Sequence, residues 1–407
     1  MQEPPEQLKE RVYSVDLLRG IVMMIMLLDH VRDFVHAGGL TANPTDLTKT
    51  TVILFFTRWI THFCAPTFVF LAGTGIYLQR LRGKSQAELS RFLLTRGIWL
   101  VILEFTIIRF SLLFNVDYHF FGLAEVIWIF GVSMIVLAVL TYLPTKVVGI
   151  IGVAMVLGHN AFDGISVPPE VSFTGAQIPT FLQAVWIFLH QPGFIPLFGS
   201  ARMFVAYPLI PWIGVMAAGY ALGSVYSWDA KMRGRWLLRI GLAAIVFFVV
   251  LRAINIYGDP SRWSIQQTGV FTFLSFLNTT KYPASLLFLL MTLGPSITFL
   301  GLADRLHGGN LWEKIALTFG RVPLFYFILQ MFYAHGIGVV LGYLAGRDVG
   351  YLFLNFPDFA LKAPPEYGFS LWTVYAAWIG GLVLLYPLCR WYGDLKRRSG
   401  HWLFSYL

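Results

Sequence analysis

The chain has 407 residues, of which 57% are hydrophobic and only 13% charged, and its net charge is +9. About a quarter of the residues of a soluble domain carry charge. A soluble enzyme, a disordered chain, a coiled coil and a collagen-like repeat are therefore excluded, and an integral membrane protein is expected. The apolar runs are continuous and helix-length rather than alternating, which excludes a β-barrel. Cations spread over loops fit membrane topology rather than nucleic-acid binding.

Residues 1–14 mix acids and bases and lack the pattern of a cleavable signal. About ten apolar segments of membrane-crossing length then follow, at 15–36, 51–79, 93–114, 122–143, 145–160, 203–226, 236–256, 281–303, 315–345 and 369–390. The second holds the step Ala65-Pro66, which predicts a kink. The ninth is long and holds Pro323, so it is kinked or split into two helices. A stretch near 179–199, broken by Pro and Gly, reads as interfacial or re-entrant. The expected fold is all-α: a polytopic membrane protein of about ten (10–11) transmembrane helices. One domain, 15–390, lies between terminal segments 1–14 and 391–407.

With the N-terminus inside, Lys and Arg divide roughly nineteen against six in favour of the inner loops. The inner set includes Lys9, Arg82, Lys84, Arg233, Arg305 and Lys396; the outer set is Lys49, Arg202, Arg262, Lys281, Arg347 and Lys362. Both termini are then cytoplasmic. No internal repeat is evident. The two cysteines, Cys64 and Cys389, lie in apolar runs and suggest neither a disulfide framework nor a metal cage.

Ionisable residues inside hydrocarbon are costly and mark candidate sites. The first segment, SVDLLRGIVMMIMLLDHVRDFVH, is the richest. Arg19 and His30 are separated by about 20° beyond three full turns, so Arg19, Met23, Met26, His30 and Asp33 form one helical stripe about 16 Å long from Arg19 to His30. A histidine with Asp33 and Asp29 in reach suits a general base, with Asp33 or Asp29 orienting the imidazole. In the second segment Arg58 and His62 share a helix face, and His62 is a second acid–base candidate. Arg91 and Arg96, following Arg80, Arg82 and Lys84, form a cluster able to grip a phosphate-bearing cofactor or to anchor anionic lipid. Gly73 and Gly75 read as close-packing positions. Glu104 and Arg109 read as partners of other helices. Glu125, Tyr207, Trp212, Asn278, Lys281, Arg321, Gln330 and His335 read as structural.

The stretch RVYSVDLLRGIVMMIMLLDH resembles the opening of the integral-membrane acyltransferases. These include the heparan-α-glucosaminide N-acetyltransferase family with its bacterial relatives, and the bacterial enzymes that O-acylate cell-surface polysaccharides. APTFVFLAGTG, YPLIPWIGVMAAGYALG, KYPASLLFLL, FGRVPLFYFILQ and DLKRRSGHWLFSYL extend the resemblance to the C-terminus, nearest to the bacterial heparan-acetyltransferase-like branch. The resemblance implies transfer of an acyl group, usually acetyl, from cytoplasmic coenzyme A to a hydroxyl or amine of a sugar-containing acceptor at the outer face. It gives His30 the catalytic role, Arg19 the paired arginine, and Arg91 and Arg96 the basic positions after the second helix. One departure concerns the outer loop. The heparan-acetylating branch places a histidine there, closely followed by Trp-Asn-Gly, whereas HAGGLTANPTDLTK has His36 and no such motif. Acyl-histidine and direct transfer both stay open, as does the acceptor.

The expectation is thus an acyl-CoA-dependent membrane acyltransferase. Its catalytic residues are His30, Asp33, Asp29 and His62, and Arg19, Arg91, Arg96 and Arg58 hold the cofactor. Acetyl-CoA is the donor, no metal and no nucleic acid are expected, and the partners are a sugar-containing acceptor, the bilayer and a possible second copy. A bacterial inner membrane is the expected location. The alternative is a proton-coupled transporter or flippase, for which intramembrane His, Asp and Arg are equally suited.

Overall fold

The structure, a computed structural model, describes residues 11–39, 41–174, 177–303, 309–356 and 358–399. Lys9, Arg305 and the tail beyond Ser399 lie outside the described residues. In chain order the helices are α1 (Tyr13–Val35), α2 (Val52–Thr61), α3 (Cys64–Leu81), α4 (Gln86–Leu103), α5 (Arg109–Leu113), α6 (Val126–Leu140), α7 (Thr145–Gly158), α8 (Pro169–Ser172) and α9 (Phe181–Leu189). They continue as α10 (Leu209–Leu222), α11 (Ala230–Ile254), α12 (Gly269–Leu277), α13 (Leu286–Ala303), α14 (Leu311–Arg321), α15 (Pro323–Leu344), α16 (Asp358–Leu361) and α17 (Leu371–Ser399).

Among the described residues, seven helical stretches are long and apolar enough to cross a membrane: Val52–Leu81, Thr145–Phe162, Leu209–Ser227, Ala230–Ile254, Leu286–Ala303, Pro323–Leu344 and Leu371–Ser399. Three segments expected from sequence fall outside that set for physical reasons. Helix α1 carries Asp16, Arg19, Asp29, Arg32 and Asp33. The run from α4 to α5 carries Arg91, Arg96, Glu104 and Arg109 and passes through a π-turn at Glu104–Ile108. Helix α6 is apolar but has only 15 residues, about 22 Å against a hydrocarbon core of about 30 Å.

The breaks fall where proline predicts them. The second segment divides into α2 and α3 around His62 and Phe63, with Pro66 in the first turn of α3. The ninth divides at Val322, and Pro323 opens α15, where a missing N–H costs nothing. Helix α17 runs unbroken past 390 to Ser399.

The all-α expectation needs one correction. Strands β1 (Phe120–Ala124), β2 (Gly193–Pro196) and β3 (Arg202–Val205) form a sheet in the order β1-β3-β2, with β1 parallel and β2 antiparallel to β3. The segments expected at 122–143 and 203–226 therefore begin as strands and become helices only at Val126 and Leu209. A continuous apolar run does not separate buried strand from helix. At Gly122 the backbone settles the matter, since its φ of 146° is open only to glycine. The sheet covers a small core of its own, including Phe105, Val171, Ile187 and Val205. The stretch near 179–199 supplies the short helix α9 and β2, neither of which crosses.

Helix α1 lies at the centre, packed by α14, α15, α17 and α3. Its crossing with α14 is a backbone contact: a Cβ on Gly20 would stand 1.8 Å from the Ala316 carbonyl oxygen, and one on Gly320 would stand 2.0 Å from that of Asp16. The Trp378 indole donates to the Met24 carbonyl at 2.8 Å, and the Tyr13 hydroxyl donates to Glu313 Oε2 at 2.7 Å. These contacts fix the residues on α1 relative to the later helices.

Candidate active site

One end of the bundle is strongly basic. It gathers the start of α1, the end of α3, the start of α4, the α14–α15 junction and the end of α17 around a cavity of about 590 Å³. Arg11, Arg82, Lys84, Arg96, Arg321 and Lys396 line its mouth. Arg19 lines it one to two turns further along α1, its Nη1 donating to Asp16 Oδ1 at 2.8 Å. Among the described residues, seven cations thus face one lining carboxylate, Asp16. Away from the mouth the lining turns apolar, with Phe68, Ala72, Phe130, Met134 and Phe327. Gly75 also lines the cavity, and a Cβ there would meet only Arg19 Nη2, at 3.8 Å. Gly73, by contrast, is a packing position, where a Cβ would stand 2.1 Å from the Met216 carbonyl oxygen.

Phe327 joins this cavity to His30. Its ring forms part of the wall and meets the His30 imidazole edge-on, with centroids 5.9 Å apart. His30 Nδ1 is buried and has no hydrogen-bond partner among the described residues, and an unmade bond at a buried polar atom is unfavourable until something supplies it.

Beyond His30 along α1 lies a network of charge. Arg32 Nη2 donates to Asp29 Oδ1 at 3.0 Å and to Asp33 Oδ1 at 2.5 Å, and Arg58 donates to both oxygens of Asp29. This corrects two expectations. Asp33 and Asp29 bind arginines rather than the His30 imidazole, because the Arg32 guanidinium reaches both carboxylates. Arg58, expected to hold cofactor, is instead tied to Asp29 and joins α2 to α1. His62 caps the end of α2, with its Nδ1 unpartnered among the described residues and its ring edge-on to Phe288 at 5.4 Å. It shares the electrostatic surroundings of Arg58, Lys281 and Asp29.

The same surroundings bring in residues read from sequence as structural. Lys281 interacts with Asp29, Asp33 and Glu125. Its ammonium lies 5.1 Å from the Tyr282 ring centroid and 5.8 Å from that of Tyr207, whose hydroxyls are 3.5 Å apart. Lys281, Tyr207 and Tyr282 thus form a cluster that shares its electrostatic surroundings with His30, Asp29, Asp33 and Glu125. Intramembrane charge was the signal for it, but which distant residues converge is a matter of tertiary packing.

The remaining candidates separate. Arg96 lines the cavity, whereas Arg91 is exposed and outside it. Glu104 is buried and accepts from the Trp128 N–H at 2.6 Å, so it caps the start of α6. Arg109 binds the carbonyls of Asn115, Asp117 and Phe120 and holds the β1 approach in place. His335 is buried between Phe114 and Phe34, with centroids at 3.9 and 4.5 Å, as a packed core residue. No group of three or more metal-ligating side chains occurs among the described residues.

A family model described as heparan-alpha-glucosaminide N-acetyltransferase, catalytic, matches residues 11–257. That span contains α1 to α11 with His30, the charge network and the α3–α4 side of the basic cavity. No curated protein matches the chain.

Proposed function

We propose that this chain, which belongs to the heparan-alpha-glucosaminide N-acetyltransferase family, moves an acyl group, most simply acetyl, from acyl-CoA to a hydroxyl or amine of a sugar-containing acceptor. The family supports membrane acetyltransferase activity. A single observation carries the proposal: one cavity runs from seven cations to Phe327, whose ring touches His30. Phosphates of the donor suit the cationic mouth, and the pantetheine arm suits the apolar lining beyond it. Arg19 and Arg96 then hold the donor, with Arg82 and Lys84 beside them. The thioester would end at Phe327, within reach of the imidazole.

On this reading an acceptor bound among Lys281, Tyr282 and Glu125 presents its hydroxyl or amine to His30. The imidazole takes the proton as the nucleophile attacks the thioester carbonyl. The C–S bond breaks, and the proton passes to the departing thiolate of coenzyme A. Asp29 and Asp33 act through Arg32 and Arg58, fixing α1 against α2, so they position rather than react. His62 is the second acid–base group on the acceptor side. The cation excess at the basic end supports a cytoplasmic position for it, with both termini inside. The helices then form one membrane domain of ten crossings over 15–390, with 1–14 and 391–407 as terminal segments, in a bacterial inner membrane.

The test is acyl transfer by purified protein in nanodiscs, with radiolabelled acetyl-CoA, a panel of amino sugars and glycans, and His30→Ala beside the wild type. Label is expected on an acceptor, or on the protein, only when His30 is intact. A fully active His30→Ala protein refutes the role of His30. Solute movement without turnover of any acyl-CoA refutes acyl transfer.

A further inference from the structure

A second pocket of about 630 Å³ adjoins the first and shares Arg11, Arg321 and Lys396 with it as a common wall. Its own side is one face of α17. Arg390, Gly393, Asp394 and Arg397 fall at i, i+3, i+4 and i+7, the spacing that stacks residues along a helix. Arg397 pairs with Asp394. Among the described residues, Arg321, Arg390 and Lys396 have no carboxylate within ion-pair distance. The strongest charged neighbours of Lys396 are Arg96 and Arg11, both of its own sign. Cations crowded at the junction of two pockets repel one another until a polyanion enters.

Two adjoining basic pockets with a shared wall fit a ligand that carries two separate phosphate groups. From the shared wall the first cavity continues into an apolar channel, and the second does not. We infer that the second pocket takes the 3′-phosphate monoester of coenzyme A, while the diphosphate sits on the cations of the first cavity, so the protein distinguishes coenzyme A thioesters from their 3′-dephospho forms. This rests on the acyl-CoA reading above and adds to it the feature of the donor that is recognised. A phospholipid headgroup presents the same phosphate chemistry, but its acyl chains need an apolar groove. Among the described residues, the second pocket offers only Val322 and Cys389 as apolar lining. Gly393 keeps the face open: a Cβ there would meet only Val322 Cγ1, at 3.7 Å.

The experiment compares binding of acetyl-CoA and 3′-dephospho-acetyl-CoA to the wild type and to a double variant, Arg390→Gln with Arg397→Gln, in nanodiscs of phosphatidylcholine alone. Both positions are exposed, so the variant is expected to fold. The wild type should prefer acetyl-CoA by about tenfold or more, the value of charge-assisted hydrogen bonds to one phosphate. The double variant should lose that preference by weakening acetyl-CoA selectively. Equal binding of the two ligands by the wild type overturns the inference and leaves acyl-CoA recognition standing. Equal weakening of both ligands in the variant also overturns it, because that is general electrostatics. So does a variant effect that appears only when phosphatidylglycerol is added to the discs, because the pocket is then a lipid site. Failure of both ligands to bind the wild type refutes the acyl-CoA reading itself.

Discussion

Replacing Asp29 by Asn should be among the most destabilising single changes in the chain. The carboxylate accepts from Arg32 Nη2 at 3.0 Å and from Arg58 through both oxygens, and the side chains of Asp29, Arg32 and Arg58 are 12%, 3% and 13% exposed. Asparagine keeps the shape but removes the negative charge, leaving two guanidinium groups with Asp33 as their shared counter-ion. Breaking a buried ion pair from one side costs about 3–5 kcal/mol, and the residual exposure argues for the lower figure, about 3 kcal/mol. Arg58→Met should cost less, about 2 kcal/mol, because Arg32 still neutralises Asp29. In the double variant the two losses should overlap by about 2 kcal/mol, as expected for residues in direct contact. The assay needs no added probe. Cys64 and Cys389 are the two cysteines and are 4% and 0% exposed, so a thiol-reactive dye reports unfolding in a detergent titration. A stability change below about 1 kcal/mol in Asp29→Asn, or strict additivity of the two substitutions, would refute the argument that this pair holds α1 against α2.

Two further outcomes are expected. Gly75→Leu should fill the basic cavity without disturbing the fold, because a Cβ there meets nothing closer than 3.8 Å. Acetyl-CoA affinity should fall by more than about tenfold while the unfolding midpoint stays within about 0.5 kcal/mol of wild type; an unchanged affinity would place the donor elsewhere. Glu104→Leu should destabilise by about 2 kcal/mol, because it strips the start of α6 of its carboxylate cap, whereas Glu104→Gln should recover about half of that in the same titration.

The helices were legible because apolar runs of crossing length have few alternatives, and Pro66 and Pro323 announced their breaks. The strands at 120–124 and 202–205 were not legible, since each lies in the same apolar stretch as the helix that follows, separated from it only by Glu125 or by Ala206, Tyr207 and Pro208. Local spacing singled out Arg19, His30, Asp29 and Arg58, but it did not reveal that Asp29 and Arg58 pair with each other. It misassigned Asp33, because the competition of Arg32 for both carboxylates depends on side-chain direction rather than on position along the helix. Of the basic residues near Arg80 to Arg96, Arg82, Lys84 and Arg96 line one cavity, but Arg91 is exposed outside it. Arg11, Arg321 and Lys396 join only through packing between segments about 300 residues apart, which no local pattern records. The cluster of Lys281, Tyr282, Tyr207 and Glu125 was hidden for the same reason.

The central position of α1 has a consequence for how the protein is made. Of the described helices it is synthesised first, yet its partners come among the last: Tyr13 bonds to Glu313, 300 positions later, and Met24 to Trp378, 354 positions later. At about 5–20 residues per second, a ribosome needs roughly 15–60 seconds to supply the first of them. During that interval a helix bearing five charges stands in or beside the bilayer without its final neighbours. Asp16 with Arg19, and Asp29 with Arg32, are pairs within the helix itself, each at i,i+3. They neutralise four of the five charges with no help from later segments, so these pairings serve insertion before they serve the finished site.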